Sequence, residues 1–181
     1  VLLSETELLE IETFAIEIAR GAGAILLTYF EGPLKVDYKS ANNRNPVTDA
    51  DHAADTYLNA EIMKRFPAHG IVSEESDSAD ESETDVVWVI DPLDGTSNFL
   101  NGLPLFGVLI AVLEQGKPVV GAIWIPDIFN PLGRVLHAHD GGGAFDEETP
   151  LNIEIELDGK RRMSTWPSYF LRMFTFDKSL N

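Results

Sequence analysis

Leu8, Ile11, Ala15, Ile18, Ala22, Ile25 and Tyr29 recur at intervals of three and four, which predicts an amphipathic helix near the start of the chain. The preceding "SETE", Ser4 to Glu7, has the form of a capping box. Gly21 and Gly23 weaken such a helix by about 1 kcal/mol each relative to Ala, so their expected benefit is close packing. Gly32-Pro33 ends the pattern. "LKVDYKS" reads as a short strand and "ANNRNP" as a loop. A second helix follows, with Thr48 as its cap, Asp51 at its third position and Ala54, Tyr57, Leu58, Ile62 and Phe66 as its apolar face. Pro67 closes it. The period then changes, and "GIVSEE", "VVWVID", "FGVLIAVLE", "PVVGAIWIP", "RVLHAHD" and "NIEIELDG" read as strands. "EQGKP" is a hairpin loop and Asp158-Gly159 a tight turn. Helices first and strands afterwards predict an α+β fold, two N-terminal helices packed on a large antiparallel sheet.

Composition narrows this picture. The 181 residues suffice for one good-sized domain, and 44% of them are hydrophobic, as in a globular core. The net charge of −17 disfavours nucleic-acid polymers and anionic membranes and favours cations. Cysteine is absent, which excludes disulfides and fits a reducing compartment. The N-terminal "VLLSETELLE" lacks the basic region of a signal peptide, and the charge-free run around Leu103 to Leu113 is too short to span a bilayer. A cytoplasmic location is the expectation.

The charge is unevenly placed. From Phe66 to Gly116 there is no Lys or Arg, yet there are ten carboxylates. Asp91 and Asp94 stand at the mouth of the apolar run "VVWVI". As plain turn formers, Asp-Pro and Asp-Gly account for Pro92 and Gly95 but not for the surrounding acidity. Unpaired carboxylates at the end of a buried strand are costly, and a hard divalent cation resolves the conflict. Mg²⁺ takes carboxylates, waters and substrate phosphate as ligands. "GTSN" can open a helix whose free N–H groups face an anion, Gly95 lets the backbone come close, and the Thr96 hydroxyl can orient a water or cap the helix. Metal beside phosphate points to phosphoester hydrolysis.

"DPLDGTSNF", Asp91 to Phe99, resembles the signature of the inositol monophosphatase superfamily of Mg²⁺-dependent, lithium-sensitive phosphatases. "VTDAD" at Val47 to Asp51 is similar to a second element of that family. "SEES" is similar to its Gly-Glu-Glu, with Ser73 in place of Gly, and "PLGRVLHAHDGGGAF" to a downstream element. The resemblance covers roughly residues 4 to 150. It implies the first half of an αβαβα layered sandwich, with a metal-binding domain over residues 1–155 and an unassigned tail over 156–181.

The resemblance also implies roles. Glu74, Asp91 and the Leu93 carbonyl would hold one Mg²⁺, and Asp91 and Asp94 a second. Asp51 and Thr96 would position the attacking water, with Glu74 near a third ion, and the Gly95 and Thr96 amides would hold phosphate. Asp51 has a rival role as a helix-start charge. Glu75 stands either behind the ligands or in the acidic loop, and Lys39 matches a basic position ahead of the second motif. His137 and His139 share a strand face but lack a third zinc ligand at suitable spacing, so they read as ordinary strand residues. Trp88 and Trp124 read as core.

The family's C-terminal half, with a Trp-Asp-x-Ala-type motif that completes the second metal site, has no match here. The expected function is hydrolysis of a small phosphate monoester by a complete, homodimeric protein, with weak metal binding by these residues alone. The alternatives are fructose-1,6-bisphosphatase or 3′(2′),5′-bisphosphate nucleotidase activity. A further alternative is a non-catalytic metal-binding or interaction module.

Overall fold

The computed structural model describes residues 3–30, 36–38, 46–74, 84–127 and 129–151. Helix α1 spans Glu5–Phe30 and α2 spans Asp49–Arg65, with strands β1 (Val36–Tyr38) and β2 (Pro46–Thr48) paired between them. Then come β3 (Gly70–Ser73), β4 (Val86–Asp94), the short helix α3 (Thr96–Leu100), β5 (Gly107–Glu114), β6 (Lys117–Asp127), β7 (Asn130–His139), β8 (Gly143–Asp146) and β9 (Thr149–Pro150). The last seven strands form one sheet in sequence order. All neighbours are antiparallel except β3 and β4, which run parallel, so the sheet is mixed rather than purely antiparallel. Gly32-Pro33, Lys39, residues 75–83 of the acidic loop, Glu75 among them, and "NIEIELDG" with its turn lie outside the described residues.

The capping box forms as its sequence dictates. Ser4 Oγ donates to Glu7 Oε2 at 2.6 Å, and the Glu7 N–H returns a bond to Ser4 Oγ. Helix α1 then buries Ile11, Ala15, Ile18, Ala19, Ala22 and Leu26 against α2 and strands β5 to β7. Its glycines are contact points: a Cβ on Gly23 would lie 2.2 Å from the Trp124 ring, and one on Gly21 would meet the Tyr57 hydroxyl at 2.1 Å. The β5–β6 hairpin turns through Gln115 and Gly116, both at positive φ, as a two-residue primed turn requires.

One face of the sheet lies under the helices. Strand alternation and register bring Trp88, Ile90, Val108, Ile110, Val112, Val120, Ala122, Trp124 and Val135 to it, all buried. Val87, Val89, Ile123 and Ile125 on the opposite face are only half buried.

His137 and His139 continue the inner face and meet a carboxylate from α1. Glu12 is 4% exposed; its Oε1 lies 2.8 Å from His137 Nδ1 and its Oε2 2.6 Å from His139 Nδ1. By length and composition alone α1 could cross a bilayer. Here it is a core helix, fastened to β7 through this buried polar cluster.

At its other end α1 reaches α3. Phe30 stacks near Phe99 and Phe106, with ring centroids 5.4 and 5.0 Å away, and Phe106 leads on to Trp124. These rings supply the apolar anchor for the segment that follows Asp94.

Candidate active site

Strand β4 delivers the first carboxylates. The sequence suggested a turn from Asp91 onward. The strand instead continues to Asp94, with a register break between Asp91, opposite Leu109, and Asp94, opposite Gly107. Pro92 explains the break, because it has no N–H for the ladder. The Leu93 N–H turns back to Asp91 Oδ1 at 3.2 Å. The Thr96 hydroxyl donates to the Leu93 carbonyl at 3.0 Å. Thr96 is therefore the first residue of α3 and not its cap; that position belongs to Gly95, at φ 85°. A side chain there would be strained, and its Cβ would sit 2.7 Å from the Leu105 carbonyl oxygen.

Strand β3 delivers Glu74. Ser73 lies opposite Ile90 in the parallel pair, and the Glu74 N–H donates to the Ile90 carbonyl at 3.2 Å. The next residue on each strand is a carboxylate, and the side chains of Glu74 and Asp91 are hydrogen-bonded to each other. Burial, then the neighbouring charges of Glu74 and Asp94, push the Asp91 carboxyl up to about 8. Asp94 is also raised, by burial and by the Glu74 charge, while a bond from the Gly95 N–H partly offsets this. The Gly95 amide, expected to hold a phosphate oxygen, thus already faces an anionic oxygen.

Asp51 sits in the first turn of α2, 2% exposed, on a helix that packs against β4. Among the described residues, no three His, Asp or Glu side chains are already gathered as a finished metal cage. The donor set nevertheless suits a hard cation: the neighbouring Glu74 and Asp91 carboxyl groups, Asp94 beside them and the Leu93 carbonyl, all oxygen ligands. A cation there would relieve the repulsion.

Two groupings escaped the sequence reading. One is Glu12 between the two imidazoles, whose only sequence signal was a carboxylate on the buried stripe of a helix. The other is Asp55, which accepts from Ser73 Oγ and from Asn59 Nδ2. Its signal was its place four residues after Asp51, on the same helix face.

Fold and site together define an α+β layered protein with an oxygen-donor cluster at the end of an inner strand. The chain belongs to the inositol monophosphatase family, whose model matches residues 7–166. It is 37% identical over 139 residues to a histidinol-phosphatase of Chlorobaculum parvum, covering 77% of this chain and 51% of that protein. It is 38% identical over 146 residues to Nus factor SuhB of Pasteurella multocida, covering 80% and 52%. Among solved structures, the Thermotoga maritima IMPase superposes with a TM-score of 0.69 at 31% identity, covering 80% of this chain and 54% of that one. The chain spans about half the length of the curated relatives it matches.

Proposed function

We propose that the complete protein hydrolyses a small phosphate monoester to an alcohol and inorganic phosphate with Mg²⁺ as cofactor. The observation that carries this reading is the parallel register that sets Glu74 beside Asp91, with Asp94 near both, in a stretch of sequence with no Lys or Arg to neutralise them. Glu74, Asp91, Asp94 and the Leu93 carbonyl would hold the metal. Mg²⁺ bound there supplies the positive charge that activates water and stabilises the leaving oxygen. The Thr96 hydroxyl, fixed on Leu93, and the buried Asp51 would orient the attacking water and accept its hydrogen bonds. The Thr96 amide would bind a phosphate oxygen, and the Gly95 amide a second one if Asp94 turned from it to the metal. Helix α3 has only five residues, so the local N–H groups matter more than its dipole.

The test is a phosphatase assay of the full-length natural chain against a panel that includes inositol phosphate, histidinol phosphate, a sugar bisphosphate and a nucleotide bisphosphate. Turnover should require Mg²⁺ and disappear in Asp91→Asn. Lithium should inhibit it by competing for the weaker ion site. Full turnover in excess EDTA would sink the mechanism. Metal binding with no turnover of any substrate would favour the non-catalytic module.

A further inference from the structure

We propose that Asp55 and Ser73 form a positioning pair that holds Glu74 against Asp91 and so sets the affinity of the site for its divalent ion. This inference rests on the metal-site reading above.

Ser73 is the last residue of β3, a four-residue strand at the edge of the sheet. Strand ends at an edge are held on one side only and open easily. Ser73 is nevertheless 5% exposed, and its hydroxyl donates to Asp55 Oδ1 on α2. That oxygen is itself fixed by Asn59 Nδ2 at 2.9 Å, and the same Nδ2 also donates to the Asp55 carbonyl at 2.8 Å. On the other side, the Glu74 N–H is bonded to Ile90, the residue before Asp91. The segment that carries Glu74 is thus gripped between α2 and β4.

The same helix face carries Asp51 one turn earlier, so α2 places one candidate site residue directly and a second through Asp55. The Ser73–Asp55 bond needs a side chain at position 73, where the family pattern has Gly. Neither residue has a part in the chemistry; each acts through Glu74.

Ser73→Ala, Ser73→Gly and Asp55→Ala in the full-length natural chain test the pair. Two readouts are needed: Mn²⁺ binding by titration calorimetry, and the Mg²⁺ concentration for half-maximal turnover. Outer partners of metal ligands commonly lower metal affinity tenfold or more when removed, so each variant should bind Mn²⁺ about tenfold more weakly. Half-saturation by Mg²⁺ should rise in step, with kcat at saturating Mg²⁺ close to wild type. Wild-type Mn²⁺ affinity in all three variants overturns the proposal, including when the melting temperature falls, because the pair is then structural only. Asp91→Asn separates the two levels of the argument. If it binds Mn²⁺ like wild type, the metal-site reading fails and the proposal with it. If it loses Mn²⁺ while the Ser73 and Asp55 variants keep it, only the positioning pair is lost.

Discussion

The Glu74 and Asp91 carboxyl groups face each other across a parallel strand pair, close enough to raise the Asp91 carboxyl to about 8. The contact gives the site its chemistry and its internal strain at once. An ion or a proton must neutralise it.

Asp91→Asn should therefore stabilise the protein in excess EDTA while removing metal-dependent turnover. Asp91 has an ordinary value of 3.8 and stands at about 8 when folded. Between those values the folded state keeps a proton that the unfolded chain has released. The stability linked to that proton is complete below 3.8 and is lost as pH rises through 8. Thermal melts in EDTA at pH 6 and pH 9 should show a drop for wild type, on the order of 2 kcal/mol, and little drop for the variant. Equal pH slopes would count against a carboxyl held protonated by burial at this position.

His69 responds in the opposite direction. Its Nδ1 accepts the Trp88 indole N–H at 3.0 Å, its ring stacks on Phe66, and burial lowers its affinity for a proton below the ordinary value of 6.5. Protonating Nδ1 would remove the acceptor from a fully buried Trp88. This contribution to stability is present above pH 6.5 and is lost as pH falls through the lower folded value. His69→Gln, which keeps an acceptor but does not titrate, should flatten the acid side of the melting-temperature profile. An unchanged profile would remove His69 from the account.

Glu12→Ala should destabilise by about 1–3 kcal/mol in urea unfolding, because it strands two imidazoles against an apolar helix. His137 would keep only its bond to the Glu147 carbonyl, at 2.8 Å from Nε2. A neutral result would mean that water or a shifted side chain replaces the carboxylate.

Gly23→Ala should reverse the usual helix preference. In an open helix this change gains about 1 kcal/mol. Here the new methyl would meet Trp124, a fully buried ring that cannot withdraw, so a loss of about 1–3 kcal/mol is expected from overpacking. Differential scanning calorimetry of the single variant decides the sign.

Much of this architecture could be read from the residues. The capping box, both helices, the strand at Val86 and the β5–β6 hairpin follow from local chemistry: a Ser–Glu spacing, apolar repeats and a Gln-Gly turn. The core roles of Trp88 and Trp124 follow from strand alternation. The parallel pairing of β3 with β4 could not be read so, because a short apolar run carries no sign of its partner's direction. The extension of β4 through Pro92 was hidden too, since Asp-Pro is a turn signal and only tertiary pairing keeps the strand going. Glu12 and the Asp55–Ser73 bond were silent because their partners lie more than ten residues away in sequence. Glu74, Asp91 and Asp94 were nominated by motif, and the fold brings Glu74 into contact with Asp91 and sets Asp94 beside them.

The parallel pair also sets a minimum length on the connection between its strands. The end of β3 at Ser73 lies beside Ile90, whereas β4 begins at Val86, so the connection between the two strands has to span the length of the parallel pair. Parallel returns commonly take about a dozen residues. Adding residues within the acidic stretch should therefore leave the pairing intact. Cutting the connection below about five residues, too few to span the pair at about 3.3 Å each, should pull Glu74 out of register with Asp91. The site thus depends on a distance as well as on its carboxylates, and a connection too short to cover that distance should disable it as effectively as losing one of them.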